Sequence, residues 1–244
     1  MLKKIFSLFK ERTQDESEYL NKILNLKGKT PYCFQDQYIG QEKILHKMYG
    51  DANSINGHIK LLLISDTHSS LNEEKFKHYI LEHSNYDACI LLGDHSPRDI
   101  ELILKYIPTD KIYALLGNHD NEYPRIYGLR DINGKVININ GIKLLGIQGS
   151  FKYKPLGYPS FNQKESIEFL MDKEPVDILL SHANRFDENK MNNPGHQGLF
   201  GITYYLFKNK IPYHIHGHIH EAYHNTLINN TKEISVYMLE YLEI

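Results

Sequence analysis

Five short strand-like runs, the first four largely apolar and each closed by a polar cluster, constrain this chain more than any other feature of its sequence. Residues 59–64 end in Ser65-Asp66-Thr67-His68, 88–92 in Gly93-Asp94, and 112–116 in Gly117-Asn118-His119-Asp120. Residues 178–181 end at His182, and 213–216 at Gly217-His218-Ile219-His220. An unbroken apolar run of this length reads as a strand covered on both faces. Between the first three runs, Phe76, Tyr79, Ile80 and His83, then Ile100, Ile103, Leu104 and Ile107, follow helical spacing, the latter after Pro97, a residue suited to a first helical turn. Such alternation implies right-handed crossovers and a largely parallel sheet. Strand C-termini then share one edge, where open α/β sheets bind ligands. The chain is predicted to gather two aspartates, one asparagine and several histidines on one rim, beside glycines that allow sharp turns.

The remaining segments fall into place around this framework. Asn133-Gly134 and Asn140-Gly141 bracket VINI and precede KLLGI, a hairpin signal. Residues 199–209 read as a helix with Leu199, Ile202 and Leu206 inward, and the tail, AYHNTLI followed by EISVYML, reads as a closing hairpin. Ahead of the first strand, Leu2, Ile5, Phe6 and Phe9, then Leu20, Ile23 and Leu24, then Ile44, Leu45, Met48 and Tyr49 lie at helical spacing, broken at 28–31. Residues 1–57 are therefore assigned to an N-terminal helical extension docked on a main domain of residues 58–244. A sharper reading makes Lys3, Lys4 and Lys10 with Phe6 and Phe9 a surface helix for a membrane or partner, but its polar face soon turns acidic.

Composition narrows the class of function. The 41% hydrophobic and 24% charged content suits a globular chain with a real core. A net charge of −2 disfavours a broad nucleic-acid footprint. Two cysteines, Cys33 and Cys89, exclude a disulfide scaffold and a cysteine-rich zinc site. No run approaches the ~20 apolar residues of a membrane span, and the N-terminus lacks the pattern of a secretory signal, so the cytoplasm is expected. Fourteen histidines, six of them between His196 and His224, point to metal or acid–base chemistry. Carboxylate and amide oxygens mixed with imidazoles suit Mn, Fe, Zn, Ni or Co, and one bridging Asp would let this set fill two sites. Two such metals ~3.5–4 Å apart form a clamp for phosphoester hydrolysis.

The blocks D-x-H, G-D, G-N-H-D, H and G-H-x-H, in that order over residues 66–220, resemble the calcineurin-like metallophosphoesterase superfamily. The stretch from Ser181 to His220, with His196-Gln197-Gly198, and the GIQGS element resemble its small bacterial and phage-type members. The resemblance implies a four-layer α/β/β/α sandwich with two facing mixed sheets. It implies two divalent metal ions, manganese foremost, with Asp66, His68 and His220 on one, Asn118, His182 and His218 on the other, and Asp94 bridging. It gives His119 a place at the scissile phosphate with Asp120 orienting it, and a metal-bridging hydroxide as nucleophile. The substrate it favours is a small nucleotide-type diester, with a monoester, a nuclease substrate or a catalytically silent scaffold as alternatives.

Around these blocks, His196 and Arg125 are candidate substrate contacts, and Arg98 is a further arginine that could meet phosphate. His95 follows Asp94 where a hydrophobic residue is usual, and Asp99 is the nearest acidic residue after that block. His216 reads as a support or a core histidine. Phe151, Tyr153, Tyr158 and Phe161 form an aromatic run suited either to stacking a base or to packing over the sheet edge.

Overall fold

Side chains alternate across a strand, so an unbroken apolar run must be covered on both faces, and the fold meets that demand with four layers. The structure is a computed structural model and describes residues 14–26, 36–190 and 193–244. Strand β1 (Lys60–Ser65) follows helices α1 (Gln14–Leu24) and α2 (Gln41–Tyr49). Then come α3 (Glu73–Glu82), β2 (Ala88–Leu91), α4 (Pro97–Tyr106), β3 (Ile112–Ala114), α5 (Tyr123–Ile126) and β4 (Arg130–Asp131). The second half holds β5 (Val136–Ile139), β6 (Ile142–Ile147), β7 (Ser150–Phe151), β8 (Ser160–Phe161), α6 (Gln163–Leu170) and β9 (Ile178–Ser181). It closes with α7 (Phe200–Lys208), β10 (Tyr213–His216), β11 (Tyr223–Thr226), β12 (Lys232–Ser235) and β13 (Met238–Glu243).

Two mixed sheets face each other, in the orders β13-β1-β2-β3-β4 and β11-β12-β10-β9-β6-β5. Strands β1 to β4 are mutually parallel, as are β6, β9, β10 and β12, while β13, β11 and β5 run antiparallel to their neighbours. Leu61, Leu63 and Ile90 of one sheet meet Leu144, Leu180 and Ile215 of the other in the central core. Leu62, Ile64 and Leu91 turn outward onto Phe76 and Ile80 of α3 and Ile100 and Ile103 of α4. Leu145, Ile147 and Leu179 turn outward onto Ile167 of α6 and Ile202 and Leu206 of α7. This is the four-layer sandwich that the resemblance implies.

Two features depart from the sequence reading. The tail is not one hairpin: β11 and β12 pair as expected, but the chain then crosses to the other sheet, where Met238 to Glu243 pairs with Ser65 to Lys60. Helix α6 lies in a stretch read without a helix, and its start carries a capping box between Asn162 and Glu165. No helix among the described residues is long and apolar enough to cross a membrane. The first proposed helix, with its lysines, and the break at 28–31 lie outside the described residues.

Helices α1 and α2 cover the outer face of α7, which is why Phe200 to Phe207 is buried on every side. Leu20, Ile23 and Leu45 enter that core, and the Tyr38 ring stacks on Phe200 at 4.5 Å. A buried ion network continues inward from α2. Glu42 pairs closely with Arg185, whose Nε lies 2.9 Å from Glu233 Oε1, with His214 and His216 behind. Burial pushes the Glu233 carboxyl up, but Arg185 and the imidazoles outweigh it and hold it at about 2.

Two stability outcomes follow. Leu45→Ala removes a fully buried side chain and should cost about 2–5 kcal/mol of unfolding free energy in urea titrations, whereas Ile44→Ala on the exposed face should stay within about 0.5 kcal/mol. Glu233→Gln leaves Arg185 short of a partner and should cost about 3 kcal/mol at pH 7. Because the folded-state pKa of Glu233 is depressed, its contribution is full above the ordinary value of 4.5 and is lost as pH falls toward about 2. The difference between the wild type and Glu233→Gln should therefore shrink steadily in urea titrations from pH 5 to pH 2.5.

Candidate metal centre

The parallel strands bring their C-terminal ends to one rim. Past β1 come Asp66 and His68, past β2 Asp94, past β3 Asn118, His119 and Asp120, past β9 His182, and past β10 His218 and His220. Five of these residues are left-handed although none is glycine: Asp66 (φ 53°), His68 (41°), Asp94 (60°), His218 (73°) and His220 (53°). The conformation costs on the order of 1 kcal/mol or more per residue and persists only where the surroundings over-determine it. Two glycines make room for the carboxylates. A β-carbon on Gly117 would overlap the Asp94 carboxylate, and one on Gly217 would overlap Ser65 and Asp66.

The donors form two groups. Asp66, His68 and His220 each place a ligand atom within 4.8 Å of the others, and so do Asp94, His182 and His218. In the first, His220 Nε2 is 3.4 Å from Asp66 Oδ1 and 3.2 Å from His68 Nε2. In the second, His182 Nε2 is 3.1 Å from Asn118 Oδ1. Asp94 Oδ2 lies 3.6 Å from His68 Nε2 and 3.6 Å from His182 Nε2, so one carboxylate oxygen faces both groups.

Backbone carbonyls set the imidazoles. His182 Nδ1 lies 2.8 Å from Leu92 O, and His218 Nε2 lies 2.8 Å from Gly195 O. A carbonyl only accepts, so each of those nitrogens carries its hydrogen and the other nitrogen of each ring is left for a ligand. The electrostatics ask for positive charge. Burial would raise Asp66, yet the His220 ring, His182 and Ser65 hold it below the usual carboxylate range. Burial would lower His182, and the Asp94 and Asp66 carboxylates reverse that to a net rise. Asp66 Oδ1 is buried without a hydrogen-bond donor. Two buried carboxylates, an amide oxygen and imidazoles with lone pairs turned inward are a donor set that fits divalent cations. His214, His216 and Glu233 also bring ligand atoms within 4.8 Å of one another, but there Arg185 already supplies the positive charge.

Beside the two groups opens a cleft of about 200 Å³ lined by Asp94, His119, Tyr153, Asn193, Gly195, His196, His218 and His220. His119 is exposed there, with its N–H donating to Asp94 Oδ1 at 2.8 Å, and its pKa is lowered, chiefly by burial. His196 lies edge-on to His218, with ring centroids 5.3 Å apart. Asp120 departs from the role expected of it. Its two oxygens accept from the backbone N–H groups of Asp94, His95 and Gly117 at 2.6–2.7 Å, so it fixes the turns around Asp94 and not the His119 ring. Burial raises its pKa to about 6.

Arg125 lies apart from the cleft as described. It is exposed on α5, paired with Glu122, and is not among the residues lining the cleft. Arg98 donates to the carbonyls of Ser69 and Leu71. His95 is buried against Thr67 and Tyr123, and burial lowers it to about 4. The aromatic run divides: Tyr153 lines the cleft, Phe151 enters the core, Tyr158 is exposed and Phe161 packs on Phe169. The contact the sequence does not reveal is the Gly195 carbonyl, since a main-chain oxygen leaves no residue signature.

Comparison with known proteins gives the chain a family. A profile of the family described as calcineurin-like phosphoesterase matches residues 59–222. Sequence comparison with curated proteins gives no match. One crystal structure superposes with a TM-score of 0.55 at 13% identity, covering 76% of this chain and 95% of its own. Phosphopantetheinyl hydrolase from Mycobacterium tuberculosis superposes with a TM-score of 0.50 at 13% identity, covering 77% of this chain and 97% of that one. A Thermus thermophilus protein reaches 0.49 at 12% identity, covering 75% and 98%. At 13% identity the first two show the fold alone. The family profile spans well over half of the sequence, including every strand end described above, and on that ground the chain belongs to the calcineurin-like phosphoesterase family.

Proposed function

We propose that this chain is a dinuclear metal-dependent hydrolase of small phosphodiesters. The observation that carries the reading is the placement of Asp94 Oδ2 at 3.6 Å from one imidazole of each donor group. Asp66, His68 and His220 would hold one divalent cation, manganese being a suitable choice, and Asn118, His182 and His218 a second, with Asp94 shared. Such a pair of cations, when bound, supplies Lewis acidity toward the phosphoryl oxygens and lowers the pKa of water toward neutrality.

The chain's own residues supply the remaining steps. Gly195 and Leu92 carbonyls hold His218 and His182 in the tautomers that ligation needs. Asp120 fixes the backbone on both sides of Asp94. His119 stands at the cleft with a ring that makes no hydrogen bond among the described residues, placed to protonate the departing ester oxygen. His196 borders the same space as a substrate contact.

The charge of the cleft supports a diester. Among its described lining residues there is no lysine or arginine. Arg125 and Arg98 are engaged elsewhere. A diester brings one negative charge, a monoester two, and the described lining offers the second no lysine or arginine, although Lys154 acts on His119 and Lys190 on His196 from outside that lining. The bound substrate is accordingly read as small, in keeping with the cleft of about 200 Å³.

Hydrolysis of a p-nitrophenyl diester should exceed that of the matching monoester in kcat/KM by tenfold or more, on the order of 1.4 kcal/mol, with activity lost on chelation and restored by Mn²⁺. Turnover of the monoester alone would overturn the diester assignment, and no turnover of either with metal bound would favour a silent scaffold. Asp94→Asn should lower kcat on the order of a thousandfold or more while thermal unfolding stays cooperative. Full activity in that variant would remove Asp94 from the mechanism.

A further inference from the structure

The turn after β1 is an unusual place for a ligand. Asp66, His68 and Ser69 have φ of 53°, 41° and 67°, and the sequence from Ser65 to Asn72 contains no glycine to relax them. His68 nevertheless has to present its ring to both His220 and Asp94, at 3.2 and 3.6 Å. Something outside the turn must hold it.

The first turn of α4 does so. Ser96 caps the helix by accepting from Asp99 N–H at 3.2 Å, and Pro97 starts it, so that Arg98 and Asp99 leave its first turn side by side. Asp99, fully buried, accepts the Ser69 N–H through Oδ2 at 2.7 Å. Arg98 donates through Nη1 to Ser69 O at 2.7 Å and through Nη2 to Leu71 O at 3.3 Å. The N–H and the carbonyl of Ser69 are thus gripped from the same helix, directly after His68. A guanidinium can fork across two carbonyls in this way, whereas an ammonium is a single point of charge.

We infer that Arg98 and Asp99 are positioning residues for His68, and so for the affinity of the cation group formed by Asp66, His68 and His220. The inference rests on the metal-centre reading above. It gives Arg98 a role different from phosphate recognition, because its guanidinium is directed at the loop carbonyls. It also gives Asp99 a role apart from any contact with substrate, since its carboxylate is closed off beneath Ser69.

The test is metal binding by the full-length protein, with no substrate present. Mn²⁺ is titrated into metal-free protein by calorimetry, and His68→Ala identifies which binding event belongs to the first group. Arg98→Ala and Asp99→Ala should weaken that event about 10–100-fold and leave the other within about threefold. Arg98 is exposed, so its truncation does not threaten the fold even if Asp99→Ala does. Asp99→Asn keeps an oxygen that can accept from Ser69 and should restore most of the affinity. Unchanged affinities in Arg98→Ala would overturn the inference, as would equal weakening of both events with a lowered melting temperature, or a loss in Asp99→Asn as large as in Asp99→Ala. Wild-type protein that binds no Mn²⁺ would instead defeat the metal-centre reading itself, before any variant is compared.

Discussion

Buried negative charge at the rim organises this protein. Asp66 and Asp94 are both almost completely inaccessible, and each is held by donors from elements far away in sequence. Asp66 Oδ2 accepts from Ser65 Oγ at 2.5 Å and from the N–H of His218 at 2.8 Å, so the same carboxylate that belongs to the first donor group also ties β1 of one sheet to the turn after β10 of the other. Asp94 accepts from the His119 N–H, and Asp120 closes the set by collecting three further amides. An ionised carboxylate in such a place is tolerable only with strong donors around it. The donors here are largely main-chain N–H groups in sharp turns. The fold at the rim and the donor set of the centre are therefore one arrangement. Left-handed backbone at Asp66, Asp94, His218 and His220 is the local cost of turning those amides and side chains toward a common point.

Much of this was legible in the sequence, for a physical reason. A strand covered on both faces leaves an apolar run that no other local structure explains as well, and the polar cluster that ends it marks the rim. The four apolar runs became strands, as did the mixed run Tyr213–His216, and their closing clusters meet. Where reading failed, the missing information was not local. EISVYML keeps its strand character on both sides of Val236, and nothing in that pattern says that the chain changes sheet between Ser235 and Met238. Met238 makes the crossing at φ 66° without the glycine that would have signalled it. Helix α6 did leave a signal, the Asn162–Glu165 capping box ahead of Ile167 and Leu170, but with only eight residues it carries a short apolar pattern beside a run of aromatics. Asp120 and Arg125 show a second kind of limit. Residue type suggests a partner, while the fold supplies one: Asp120 is taken up by three backbone amides and Arg125 is paired with Glu122.

The helices ahead of β1 bear on the centre more closely than their place in the sequence suggests. Tyr38 stacks on Phe200, the Gly40 N–H donates to Glu188, and Glu42 reaches Arg185. Residues 184–187 are in turn laced to 196–199: Asn184 donates to His196 O, Asp187 N–H to Gln197 O, and Phe186 N–H to Leu199 O. That second strip carries His196 and follows directly on Gly195, whose carbonyl sets His218. One wall of the cleft is therefore held from behind by the residues at 38–42.

Two clusters of nearly the same chemistry then meet different ends. Around β10, His214 and His216 face Glu233, all fully buried, much as His182 and His218 face Asp94. The difference is a single guanidinium. Arg185 reaches Glu233 at 2.9 Å, the carboxylate is held ionised, and burial keeps both neighbouring imidazoles below their ordinary pKa, so that cluster is balanced within the chain. No lysine or arginine among the described residues approaches Asp66 or Asp94 within ion-pairing distance. The charge there is left to imidazoles, and those rings have one nitrogen committed to a carbonyl at His182 and His218. A chain that neutralises one buried carboxylate with arginine, and leaves two others with hydrogen-bond donors and imidazoles but no arginine or lysine among the described residues, has separated a structural ion network from a donor set that could hold cations supplied from outside.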